Sequence, residues 1–307
     1  MDEVSERIVD AMGKIHGVHP GFRAVHAKGS CCKGTFTATP EAAAISIAPH
    51  FRGDEIPVTV RFSNGSGKPT RADGAKDERG MAVKFHLADG RTTDIVSLTL
   101  PVFFVRNPED FLVFLQAQEP DPETGKPDLN RVQAFVDAHP ETQTALGFVL
   151  FNMAPASYAN CSFNALHAFK MTAPDGTQRF VRYRWEAEAG EASLTDEETR
   201  ALGRDYLQQD LERRLESETI AYDLLFRIGE EEDDPTDPTV AWPPEREMVP
   251  AGRVTLTDYL GTECEPMIFD PGRLIDGIEP SGDLILAARS PAYSVSFERR
   301  TTVVSPR

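Results

Sequence analysis

The chain has 307 residues, 40% of them hydrophobic, and carries 32 basic against 49 acidic side chains, a formal charge of −17. That length suffices for one large core or two ordinary domains. The acidic balance argues against nucleic acid or an anionic membrane as the main partner, and no apolar run is long enough to span a bilayer.

The opening MDEVSERIVDAMGKI is charged and reads as an amphipathic helix rather than a signal peptide, so a cytoplasmic location is expected. After a loop with a short helical piece, VTVRFSNG (Val58–Gly65) alternates faces as a strand. GMAVKFHLADGRTTDIVSL gives two strands joined at Asp89-Gly90. Asn107-Pro108 caps the helix EDFLVFLQAQ, and the helices DLNRVQAFVDAH and PETQTALGFVLF follow. NALHAFKMTAPDGTQRFVRYRWEA is a second hairpin turning at Pro174-Asp175-Gly176, with His167 inside its first strand. Thr195 and Glu198 form a capping box that opens a long charged helix to about Glu216. GEEEDDPTDPTVAWPPEREM is too acidic and proline-rich for either element and reads as an ordered wrapping segment or a surface loop. RVTLTDYL and CEPMIF read as a late pair of strands. The class is α+β with an antiparallel sheet, and strands on both sides of every candidate boundary favour one domain over residues 1–307.

Cys31, Cys32, Cys161 and Cys264 show no zinc spacing, and in a large chain without an export signal they read as reduced and structural. More informative are polar residues where packing prefers apolar ones. Arg23 and His26 lie in GFRAVHAKG; Arg61 and Ser63 share one strand face; Arg289 and Tyr293 sit four apart, at helical spacing, with Arg300 ending the same segment. Alone, each is most simply a surface or satisfied core residue. Together they suit a haem, which needs an axial ligand, an apolar slot with an aromatic to stack on, cations for two propionates and a distal acid–base group. A tyrosine binds iron as the phenolate, a form that a neighbouring guanidinium favours.

The sequence resembles the haem catalase family over about Gly21 to Arg300. RAVHAKG resembles the distal-histidine segment, VRFSNGSG with DERGMAVKF the following strands, PVFFVRNPEDF the segment that sets phenylalanines, Phe104 among them, against the haem, and IFDPGRLIDGIEPSGDLILAARSPAY the proximal segment. The resemblance implies a catalase-like antiparallel β-barrel of about eight strands with surrounding helices, binding haem b. It makes His26 the distal acid–base residue with Ser63 as partner, places Val25 beside it, and pairs Arg23, Arg61 and Arg300 with the propionates. Phe111 stacks on the porphyrin, Tyr293 is the axial ligand, Arg289, His167 and Asp283 form the set behind it, and Asp77 is the channel aspartate. Because residues three apart on a regular strand face opposite ways, the segment carrying Arg23 and His26 must bend or wrap the haem edge.

The sequence departs from the family where a distal asparagine is expected: SLTL stands there, with Leu98 at the asparagine position. The N-terminal arm is short, and the C-terminal helical region of nucleotide-binding catalases is absent, so no NADPH is expected. These departures imply a catalase-related peroxidase that reduces hydrogen peroxide or organic hydroperoxides with a small organic reductant and has weak catalase activity; the resemblance leaves a homo-oligomer, dimer or tetramer, as its expected partner state. The alternatives are a true catalase in which Thr99 or a water replaces the amide, a hydroperoxide-rearranging haem enzyme, which Val25 disfavours, and a non-enzymatic haem-binding protein, which His26 and Ser63 disfavour.

Overall fold

A computed structural model of the chain describes residues 3–302. Helix α1 (Glu3–His16) precedes β1 (Gly29–Ala38), a short α2 (Pro40–Ile45), and the strands β2 (Glu55–Asn64), β3 (Arg79–His86) and β4 (Thr92–Leu98). Three helices follow, α3 (Pro108–Ala117), α4 (Leu129–Ala138) and α5 (Thr142–Phe151). Then come β5 (Ala154–Pro155), β6 (Phe163–Asn164), β7 (Phe169–Thr172), β8 (Gln178–Ala187) and β9 (Ser193–Leu194). Helices α6 (Asp196–Ala201) and α7 (Tyr206–Leu215) lead to β10 (Ile220–Ile228), β11 (Met248–Gly261), β12 (Ile278–Pro280) and α8 (Leu284–Thr302).

Eight strands close an antiparallel ring in the order β1-β2-β3-β4-β6-β8-β10-β11 and back to β1, while β7 and β12 continue the sheet beyond β8. The expected barrel with surrounding helices is therefore what the chain forms. Closure removes the free edges that an open sheet would present. Alternation along each strand fills the inside: Ile56, Val58, Val60 and Phe62 of β2 join Phe36, Phe85, Trp185 and Phe226 in one core. Phe36 meets Phe85 and Trp185 edge to face at 5.1 and 6.2 Å, a preferred aromatic geometry. Residues of the opposite parity, Arg61 and Ser63 among them, point out of the barrel. There α1, α3 and α8 form a second layer, with Ile8 and Ala11 packed on Leu112 and Leu115 and Arg299 of α8 paired with Asp10 of α1.

Four local expectations change. The charged helix from Thr195 breaks after Ala201, because Gly203 weakens it and the Arg204 carbonyl is drawn inward to Lys28 Nζ (3.1 Å) and the Asp73 N–H (2.9 Å). His167 lies between β6 and β7, not in a strand. CEPMIF is a series of turns, since β11 already pairs on both edges with β1 and β10 and Pro266 supplies no donor. Last, Cys31 and Cys264 form a disulfide, 233 residues apart in sequence, whereas Cys32 and Cys161 are free and buried. Neighbours on a strand face opposite ways, so Cys31 points out towards Cys264 and Cys32 into the core. The acidic stretch after Ile228 is an ordered loop, held by Arg246 on Asp233 (2.8 Å) and by Trp242, buried under Arg182.

Protein unfolded without reductant is expected to release two reactive thiols, from Cys32 and Cys161, and four after reduction. A count of four before reduction contradicts the Cys31–Cys264 bond.

Candidate active site

The stretch of residues 21–28 runs as irregular chain into β1. Its backbone is fixed by His26 N–H to Gly65 O (2.9 Å) and Ala27 N–H to Ser66 O (3.0 Å). Lys28 is buried at the end, paired with Asp73 at 2.5 Å, and Asp73 also accepts from Asn64 and the Leu207 N–H. His26 has φ 54°, the one positive value at a non-glycine residue among those described. This left-handed turn is costly for a residue with a Cβ and recurs at functional sites. It resolves the three-residue spacing: Arg23 and His26 border the same cavity.

Two glycines make the room. A Cβ on Gly80 would lie 2.8 Å from Ser63 Oγ and 3.1 Å from His26 Nδ1, and one on Gly29 would lie 2.4 Å from the Arg61 guanidinium. The imidazole and the guanidinium therefore lie flat on the strands. His26 Nδ1 and Ser63 Oγ are 3.0 Å apart. Burial first, then the charges of Arg61, Arg289 and Arg23, pull the His26 pKa down to about 3, so the ring is a neutral base at physiological pH.

Across the cavity, α8 presents Arg289 and Tyr293. Arg289 donates to Tyr293 Oη from Nε (3.2 Å) and Nη2 (2.5 Å), and its Nη1 reaches His167 Nε2 at 2.9 Å. His167 Nδ1 meets Asp283 Oδ2 at 2.6 Å, and Asp283 Oδ1 caps α8 by accepting from the Ile285 and Leu286 N–H groups. Because Arg289 can only donate, His167 accepts at Nε2 and carries its proton on Nδ1. Burial lowers the His167 pKa, opposed by Asp283.

Arg23, Arg61 and Arg300 gather at one edge. Arg23 and Arg61 both bond the Glu265 carboxylate, Arg61 at 2.8 Å, and Arg23 and Arg300 donate to Met267 O at 2.9 and 3.1 Å. Burial and repulsion by Arg61 and Arg300 drive the Arg23 pKa well down. A guanidinium keeps its proton in proteins, so the crowding favours further anions instead.

The haem-site residues inferred from the resemblance fall together here. Val25, Leu98 and Tyr293 line both of two adjoining cavities, and Phe104, Phe111 and Asp77 line the second. His167 and Asp283 stand behind Tyr293. Two residues were missed. Glu265 lies in a turn, where no periodicity marks it, and Glu78 adjoins Asp77 at the foot of β3. The only signal for Glu78 was a pair of adjacent acids before Arg79-Gly80.

A family model described as Catalase matches residues 16–304. The chain is 39% identical to a catalase-related peroxidase of Synechococcus elongatus, over 96% of this chain and 88% of that protein. It is 40% identical to a catalase-related peroxidase of Mycolicibacterium paratuberculosis, over 97% and 95%. A solved bacterial catalase superposes with a TM-score of 0.82 at 25% identity, covering 92% of this chain. A solved fungal catalase does so with a TM-score of 0.82 at 27% identity, covering 95%. The chain spans only 58% and 62% of those two structures.

The neutral burial of His26 has a measurable cost in acid. Its folded pKa of about 3 lies below the ordinary 6.5, and buried His50 shares that shift. Between those values the unfolded chain binds the extra protons, so stability falls as pH drops from about 6.5 towards 3. Denaturant midpoints measured across this window are expected to fall, and to fall less in His50→Phe and in His26→Leu. An unchanged slope in both variants contradicts the assignment.

Proposed function

The chain belongs to the catalase family, haem-dependent oxidoreductases that act on peroxide, and on that premise we propose that it is a haem b peroxidase reducing hydrogen peroxide or an organic hydroperoxide with an organic donor, and dismutating peroxide only weakly. The residues present fit the group. Tyr293 Oη, fixed by Arg289, would be the atom to hold its iron, and Arg23, Arg61 and Arg300 would take its carboxylates. Val25 lines the cavity beside His26, and Phe111 lies in the aromatic wall with Phe103 at 5.1 Å. Bound there, the haem supplies the iron centre that receives peroxide and exchanges electrons.

The protein's own part is proton handling and placement. His26, neutral and steadied by Ser63, takes the peroxide's proton on Nε2 and returns it to the other oxygen. Arg289 keeps Tyr293 Oη oriented, and Asp283 keeps Arg289 in place through His167.

Leu98 carries the choice of peroxidase over catalase. It is buried on the cavity wall opposite Gly80 in the β3–β4 ladder and has no hydrogen-bonding group with which to hold a second peroxide. Thr99 does not replace it, because its hydroxyl accepts from the Arg79 N–H at 3.0 Å and borders neither cavity. Dismutation needs that second peroxide held in register, whereas an organic donor does not depend on it.

Oxygen release and donor oxidation, followed together in haem-loaded protein given hydrogen peroxide and a phenol, test this reading. Little oxygen and donor-dependent turnover are expected. Leu98→Asn adds one hydrogen bond, worth about 1 kcal/mol, and is expected to move the partition towards oxygen by about fivefold. Oxygen released in dismutation stoichiometry whatever the donor overturns the proposal.

A further inference from the structure

Resting on that reading, we propose that Glu78 is a second acid–base residue of the site, a proton-carrying carboxyl that faces the same cavity as His26 and supplies protons to the oxygen that stays behind when the peroxide bond breaks and becomes water. The placement starts from Gly65. Its N–H donates to Glu78 O (2.9 Å) and its carbonyl accepts the His26 N–H (2.9 Å), so residue 65 lies directly between the two. A Cβ there would fall 2.1 Å from Glu78 Oε1 and 2.7 Å from Asp77 Oδ1. The space a side chain would fill is thus taken by the Glu78 carboxyl, which borders the cavity together with His26, Leu98 and Tyr293.

That carboxyl hydrogen-bonds Asp77, and two such groups in contact share a proton rather than both ionising. Asp77 is already committed as an acceptor, taking the Ser66 N–H at 3.0 Å. Burial, then Asp77, raise the Glu78 pKa to about 8. Arg79 commits its guanidinium to the carbonyls of Asp73, Ala75, Asp77 and Glu78. The other titratable or charged groups on the cavity are His16 of α1, Lys68, Arg71, His26, Arg289 and Tyr293. Glu78 is therefore a neutral acid where Leu98 offers nothing and His26 resists a lasting charge.

The chemistry asks for such a group. Reducing ROOH to ROH and water breaks the O–O bond, takes two electrons from the organic donor and consumes two protons. His26 only moves the peroxide's own proton between its oxygens, so the consumed protons must enter the cavity. Glu78 delivers these protons one at a time to the oxygen left behind, which becomes the water, and is reprotonated from solvent by way of Asp77. The cavity is open to that water at the exposed Lys68 and Arg71.

Infrared titration detects the proton directly. The protein, haem-loaded or haem-free, is expected to show a protonated-carboxyl band that disappears as pH rises through about 8 and is missing in Glu78→Gln. With hydrogen peroxide and a phenol, turnover of the wild type is expected to fall through the same pH range. Glu78→Gln should be slower by ~10²-fold and lose that limb. Gly65→Val keeps the carboxyl but forces it off the cavity wall, and should reproduce the kinetic loss while retaining a carboxyl band. A band that persists in Glu78→Gln overturns the proposal, as does a wild-type rate and pH profile in both variants. If no variant turns over but the band behaves as stated, the proton site stands and the peroxidase reading has failed.

Discussion

The line of hydrogen bonds from Asp283 through His167 and Arg289 to Tyr293 is the constraint on which the site depends. Every link is buried or half-buried, and every link is directional: a carboxylate can only accept, a guanidinium can only donate, and the imidazole between them is left one tautomer. Asp283 begins α8 and His167 leaves the barrel between two strands, so the line bolts the helix to the barrel. Pro291, inside that helix between Arg289 and Tyr293, removes one backbone hydrogen bond. The side-chain line compensates by fixing both flanking residues.

On the other side of the slot the problem is reversed, since cations outnumber their partners. Arg23, Arg61 and Arg300 converge on the turns around Glu265 and Met267, and those turns are held against β1 by Cys31–Cys264 and against β4 by the Asp270 N–H on Asp94 (2.9 Å). The same turns supply Phe269 to the cavity wall. A covalent tether and a carboxylate thus hold an arrangement whose own electrostatics would scatter it. The resulting field is selective: one edge is strongly positive, the faces are apolar, and His26 stays neutral between the two.

Much of this was legible in the residues. Strand alternation put Arg61 and Ser63 on one strand face, Asp89-Gly90 and Pro174-Asp175-Gly176 gave the turns, and the resemblance gave the barrel. The segments around His26 and Tyr293 carried enough resemblance to assign the two poles of the site. What could not be read was set by contacts distant in sequence. The break before Tyr206 answers to Lys28 and Asp73, the loss of CEPMIF as a strand answers to the full pairing of β11, and the bond between Cys31 and Cys264 answers to barrel closure. Glu78 escaped notice because its role depends on an absence, the missing side chain at Gly65, and absences have no periodicity.

The separation of the site's parts along the chain bears on how the protein is made. His26 and Arg23 leave the ribosome early, and Arg289, Tyr293 and Arg300 only when almost all of the chain has been synthesised. The first strand, β1, pairs with its sequence neighbour β2, but its other edge waits for β11, a contact of high sequence separation that closes slowly. Until then Arg23 and Arg61 lack Glu265. The pocket draws its lining from residues as far apart in sequence as Arg23 and Arg300, so it is complete only once β11 has closed the barrel and α8 has docked.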